Sequence, residues 1–446
     1  MTVLWTPEQV VALAPDTKSA NNGRALADAQ HWLGLGRSDR ALWGEFRGSG
    51  KQPYQTQIDL SEPAYRCTCP SRKFPCKHAL GLFLMYARDA DAIARGEPPE
   101  WVSEWLTRRD GVTATPAATR SRQEVADPAA QAKRLAQRQA KVRGGIEELE
   151  LWLQDFIRSG LANAQTQPAE FWNIPAARMV DAQARGLARQ VRELAGIPYA
   201  VQQWPERLLA RLGELYLLLE GYRHLAALSP SLQADVKSLV GWEQSAKALL
   251  EDESGTTDVE RDRWQVWGRS VEEEDRLQVQ RVWLRGEQSC RWAMLLGFAP
   301  VGQSLPVECL PGSCIDADLA FFPSNVPLRA TIKTRRGAVE QIAHVAPGPT
   351  TIAAAIAEWR EAIARQPWLE LFPLLLPHAR LVRRDETQWF VQDDSGDCLA
   401  IARGFPFVWE LLALSGGQQL ALCGEWTGEA IAPVGVLANG QFWGAR

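Results

Sequence analysis

Four residues able to bind a soft metal stand close together in Tyr65-Arg66-Cys67-Thr68-Cys69-Pro70-Ser71-Arg72-Lys73-Phe74-Pro75-Cys76-Lys77-His78, a pattern of C-x-C-x6-C-x-H. Zinc takes four soft or borderline ligands in a tetrahedron, and three cysteines with one histidine are a usual closed structural set. Cys67 and Cys69 are two apart, so an extended chain presents both sulfurs on one face. Pro70 and Pro75 bracket a short loop that returns the chain over them, and Cys76 and His78 complete the shell. Four good ligands leave no open position, so the pattern implies one structural Zn²⁺ and not a catalytic one. No C-x-x-C is present to make a redox pair. Two thiols, a stray thiol and an unrelated histidine are the bland alternative; the convergence of four ligands in so short a segment argues against it. Three thiolates and Zn²⁺ sum to a negative charge, which Arg66, Arg72, Lys73 and Lys77 stand close enough in sequence to offset.

The elements that position these ligands can be read on either side. Ala79, Leu80, Phe83, Leu84 and Ala87 recur at helical spacing directly after His78. Upstream, Pro53–Leu60 has strand character and Gly48-Ser49-Gly50 offers a turn before it. The unit reads as a β-hairpin followed by a helix, with metal at the junction. So small a unit has little core, and metal binding of roughly 10–16 kcal/mol would supply much of its folding energy.

With its Gly-rich turn, Pro-Tyr strand, four ligands and Leu-rich helix, this segment resembles the SWIM-type zinc finger over about residues 48–95, and all four ligand positions are present. More widely the chain resembles the stand-alone bacterial SWIM zinc finger proteins, through Ser229–Trp242 and Asp318–Ala330. Genes of that group lie near those of MoxR-type AAA+ ATPases and von Willebrand factor A domain proteins. The resemblance therefore implies such an ATPase and such a von Willebrand factor A protein as partners.

The remaining texture predicts a multidomain α+β protein: a small zinc-stabilised ββα finger, a helical middle domain and an α+β C-terminal domain. The finger module is expected over 1–106, with a linker rich in Ala, Thr, Arg and Pro over 107–127. A helical domain follows over 128–250. One stripe there is Ile146, Leu149, Leu153, Phe156 and Ile157, and another is Leu208, Leu212, Leu215, Tyr216, Leu219 and Tyr222. After an acidic, Gly/Thr-containing boundary, 259–446 turns to strands at Trp264–Trp267, Leu277–Leu284, Arg291–Phe298, Leu328–Thr334, Gln388–Val391, Leu420–Cys423 and Ile431–Leu437. A helix is expected at Thr351–Arg365.

Composition bounds the function classes. The 446 residues are 46% hydrophobic and 23% charged with a net charge of −4, a soluble balance with no global attraction to polyanions. No apolar run reaches the length of a membrane span, and the start lacks the pattern of a secretory leader. The cysteines outside the finger mostly stand far apart, which suits reduced thiols; a cytoplasmic location is the expectation. Gly48-Ser49-Gly50-Lys51 is not a phosphate-binding loop, because Glu45 and Gln52 occupy positions that need Gly and Ser or Thr. His31, His224, His344 and His378 stand alone, and Cys309 with Cys314 has no partner ligand nearby. With no catalytic motif in view, the chain reads as a non-enzyme. Trp264 and Trp267 offer a base-stacking pair, but period-2 alternation puts them on opposite faces of a strand and favours core packing.

Two functions follow. The first is a protein-interaction or adaptor component built around the finger. The second is DNA or RNA binding, using the finger and the basic run Gln131–Arg143, which holds no acid. Candidate contacts to nucleic acid or to an acidic partner are Arg72, Lys73 and Lys77 in the finger, with Lys133, Arg134, Arg138 and Lys141 in the run.

Overall fold

The structure, a computed structural model, describes residues 5, 7–14, 17–48, 52–60, 64–71, 73, 75–113, 128–200, 203–252, 254–274, 277–301, 305, 309–384 and 388–444. It has an N-terminal β-rich region, a helical middle and a C-terminal β-rich region.

The first region begins with helices α1 (Pro7–Ala12) and α2 (Thr17–Ala25). Strands β1 (Trp32–Arg37), β2 (Ala41–Phe46), β3 (Tyr54–Asp59) and β4 (Ala64–Cys67) then form an antiparallel meander, followed by α3 (Lys77–Arg88). α3 is buried from His78 to Ala87. Such burial on all sides fits KHALGLFLMYAR, which carries no charge between its ends. Leu80 and Phe83 pack with Trp5, Val10, Leu42 and Ile58. On a separate apolar cluster α4 (Glu100–Thr113) sets Val102, Trp105 and Leu106 against Ala41 and Trp43. The expected hairpin and helix are β3, β4 and α3; β1 and β2 widen the sheet. Gly34 and Gly36 weaken the strand signal of β1. The stretch expected as a linker is helical through Thr113, because the Trp-rich face of α4 is anchored and no proline interrupts it; 114–127 lies outside the described residues.

The middle region comprises α5 (Pro128–Ser159), α6 (Ala169–Asp181), α7 (Arg185–Leu194), α8 (Ile197–Ala200), α9 (Trp204–Arg223), α10 (Pro230–Val240) and α11 (Ala246–Leu250). Its core is Leu149, Leu153 and Phe156 of α5 with Trp172, Leu187, Val191, Leu208, Leu212 and Leu215. Both predicted stripes reach it, but Ile157 and Tyr216 face outward, 48% and 40% exposed. In each stripe a neighbour, Phe156 or Leu215, takes the inward position.

The C-terminal region is two sheets. Strands β5 (Val259–Glu274), β6 (Leu277–Gly286), β7 (Trp292–Pro300), β8 (Ser313–Phe321) and β9 (Arg329–Gln341) close a barrel in the order β5-β6-β7-β9-β8. Its only parallel pair among the described strands joins β7 to β9, through Met294↔Arg329 and Leu295↔Ala330. That connectivity, third strand beside fifth and fourth closing on first, is the one of oligonucleotide/oligosaccharide-binding (OB) barrels. Trp264 fills the barrel with Val282, Leu284 and Leu319, whereas Trp267 points outward. The two tryptophans thus pack on opposite faces.

After α12 (Ile352–Arg365) come β10 (Phe372–Arg383), β11 (Trp389–Gln392), β12 (Cys398–Ala400), α13 (Val408–Ser415), β13 (Leu420–Trp426), β14 (Ile431–Ala438) and β15 (Gln441–Gly444). These strands form a six-stranded sheet, β12-β11-β10-β13-β14-β15. One face packs on α12; the other sets Leu375, Ala421, Cys423 and Val434 against Trp267, Trp283 and Trp292 of the barrel. Approach there is so close that a Cβ at Gly435 would lie 1.7 Å from the Trp267 carbonyl oxygen. The bundle is tied to this region by Trp368 Nε1 donating to the Glu214 carbonyl at 2.8 Å and by the Asn325 amide donating to Asp235 at 2.8 Å. Among the described residues no helix is long and apolar enough to cross a membrane.

Candidate metal centre

Each ligand sits on a rigid element. Cys67 ends β4, where Thr56 of β3 is its cross-strand partner. Past the end of β4 the ladder continues, with the Thr68 amide donating to the Gln55 carbonyl and the Gln55 amide to Thr68 Oγ1, both at 3.0 Å. This fixes the turn that carries Cys69. Cys76 is the N-cap of α3, its carbonyl accepting from the Leu80 amide at 3.0 Å, and His78 lies in the first turn. The imidazole is 3% exposed and is flanked by Phe46 and Tyr54, with ring centroids 4.6 and 5.2 Å away. Those two rings belong to a cross-strand pair of β2 and β3.

The four ligand atoms lie within 4.8 Å of one another, and His78 Nδ1 is 3.8 Å from Cys67 Sγ. A tetrahedron with Zn–S near 2.3 Å and Zn–N near 2.0 Å separates its donors by roughly 3.5–3.8 Å, so the donor set fits one zinc ion. Thr56, fully buried, donates its hydroxyl to Cys67 Sγ at 3.2 Å. Such support orients a ligand and stabilises its thiolate.

Electrostatics point the same way. Hydrogen bonds from Cys67 and then Cys76 hold Cys69 well below the ordinary thiol range. Bonding to Cys69 pushes Cys67 up, and bonding to Cys67 and then Cys69 pushes Cys76 up. Three sulfurs this close cannot all ionise without a cation between them. Zinc supplies that cation, and no other group of His, Cys, Asp or Glu among the described residues is arranged to hold a metal.

Beside the ligands opens a cleft of about 700 Å³ lined by Lys18, Arg47, Lys73 and Lys77, with Asn22 and Ser71 among its polar groups. No carboxylate lines it among the described residues. Lys73 and Lys77 were expected near the metal; Arg72 lies outside the described residues. Lys18 of α2 and Arg47 after β2 carried no signal, because only folding brings them to the ligand loop. Of the basic run on α5, Lys133, Arg134 and Lys141 are exposed. Arg138 is instead committed to the bundle: it donates to the Gly241 carbonyl at 3.0 Å and stacks over Trp242 at 4.1 Å. Cys309 and Cys314 are buried and are not joined in a disulfide.

Comparison with known families agrees with this geometry. Residues 54–87 match the SWIM zinc finger, and residues 137–240 match the SWIM-associated four-helix bundle domain. The chain thus carries a SWIM zinc finger together with the helical bundle that accompanies such fingers. No curated protein and no solved structure matches it.

Proposed function

We propose that the protein is a non-catalytic interaction component whose zinc finger docks an acidic segment of a protein partner. The observation that carries this reading is the cleft beside the zinc ligands, where Lys18, Arg47 and Lys77 converge from three segments and no carboxylate is among the described residues that line it. A chain of net charge −4 has no long-range pull on polyanions, so attraction is local and suits a short acidic segment. The zinc centre supports the cleft, since Cys69 and His78 form part of its wall. We further propose an AAA+ ATPase of the MoxR type and a von Willebrand factor A protein as the assembly partners, on the wider resemblance to the stand-alone bacterial SWIM proteins.

Affinity purification of tagged protein with and without nuclease tests this reading, alongside a Lys18→Glu/Arg47→Glu/Lys77→Glu variant checked for bound zinc. Nuclease-resistant, stoichiometric recovery of an ATPase by the native chain, lost in the charge-reversed variant, is the expected result. Loss of every partner after nuclease, with nucleic acid in the untreated sample, would replace it with nucleic-acid binding.

A further inference from the structure

In OB barrels the outer surface of the second and third strands, with the loop between fourth and fifth, takes the oligomeric ligand. The equivalents here are β6, β7 and the loop that joins β8 to β9. Much of that surface is closed, because Trp283 and Trp292 lie under Leu375, Cys423 and Val434 of the C-terminal sheet. An extended strand of nucleic acid has no seat on it. What remains is a pocket of about 230 Å³. Its floor is Arg281, Trp283 and Met294, the last two being cross-strand partners. The β8–β9 loop, α10 and the segment 366–371 make its walls.

The charges in this pocket are answered, with one exception. Arg281 is held by Glu272 at 2.8 Å. Asp235 accepts from the Asn325 amide, and Glu370 pairs with Arg189 at 3.5 Å. Arg329 is different: its guanidinium lies half-buried, 4.2 Å above the Phe322 ring, and no described carboxylate pairs with it. Burial lowers its pKa, which is the cost of holding a charge away from water without a counter-ion. Beside it the wall is apolar, with Met294, Leu328 and Leu369.

We propose that this pocket binds a compact organic anion, whose carboxylate or phosphate end meets Arg329 and whose apolar body lies against Met294, Leu328 and Leu369. A volume below the roughly 300–1,000 Å³ of sites for drug-sized ligands admits a small monomer and not an oligomer. The pocket sits where the bundle, the barrel and the segment leading from α12 into β10 meet, so an occupant touches all three. This site is separate from the finger cleft and stands or falls independently of the docking function.

Titration calorimetry on the full-length, zinc-loaded protein tests it, with benzoate and phenyl phosphate as probes and benzyl alcohol and inorganic phosphate as controls. One of the two organic anions is expected to bind saturably, the tighter one identifying the head group. Both controls should bind at least about tenfold more weakly. Arg329→Gln should weaken binding by about tenfold or more. Ser238→Trp, a change at an exposed position on the rim, should abolish it while leaving the fold intact. The proposal is overturned if neither organic anion saturates, if both variants bind as the native chain does, or if inorganic phosphate binds as tightly as the organic probes.

Discussion

Thr56 and Cys67 show how the finger works at the scale of single residues. The hydroxyl of Thr56 is the buried donor that meets a zinc ligand, so Thr56→Val keeps shape and removes one hydrogen bond. Competition with a chelator should show zinc affinity reduced by about 10–100-fold; an unchanged affinity would remove Thr56 from the site. Thiol chemistry elsewhere offers a second check. Burial pushes the Cys314 thiol up to about 11, so at neutral pH it is almost wholly protonated and a poor nucleophile. Its alkylation in the native protein should be slow near neutrality and rise about tenfold per pH unit until about pH 11. Rapid modification at pH 7 would contradict the burial. The ligands were legible in the sequence because their chemistry is written in type and spacing. Lys18, Arg47 and Thr56 were not, since nothing in their local sequence marks a role that depends on which strands and helices meet.

At the scale of elements, periodicity told helix from strand but not which apolar residues of a stripe face inward. Leu212 and Tyr216 lie in one predicted stripe, yet the first is buried and the second exposed. Leu212→Ala should cost about 2–5 kcal/mol in chemical denaturation, and the outward-facing Ile157→Ala within about 0.5 kcal/mol. Equal effects would mean that α5 and α9 pack by other faces. The expected helix at Thr351–Arg365 corresponds to α12, capped by the Thr351 hydroxyl accepting from the Ala354 amide at 3.2 Å. Strand β10 escaped notice because Pro373 and Pro377 break its pattern. In the structure the register shifts between Leu376 and Ala379, where Pro377 sits in the irregularity. β8 was missed as well. The barrel it closes rests on pairings such as Val259↔Ala320, far apart in the chain, and no local window carries that information.

For the whole molecule, the barrel is the hub. Its interior holds one core, its outer face carries the C-terminal sheet, and its β8–β9 loop reaches the bundle through Asn325. The contact of β5 with β14 depends on the missing side chain at Gly435, where a Cβ would strike backbone and not a movable side chain. Gly435→Val should therefore part the sheet from the barrel, lowering the thermal midpoint and splitting a cooperative transition. A native-like single transition would show that this contact gives way easily.

The finger has an apolar core around α3 beyond what its size led one to expect, yet its four converging ligands make zinc the most direct test of the account. Element-specific mass spectrometry of the purified native chain and of Cys69→Ala, paired with limited proteolysis, addresses it. The account predicts one zinc per native chain, none in the variant, and new cleavage of the variant within 65–95. A metal-free native chain with a protease-resistant finger, or a variant that keeps its full zinc content, would contradict it.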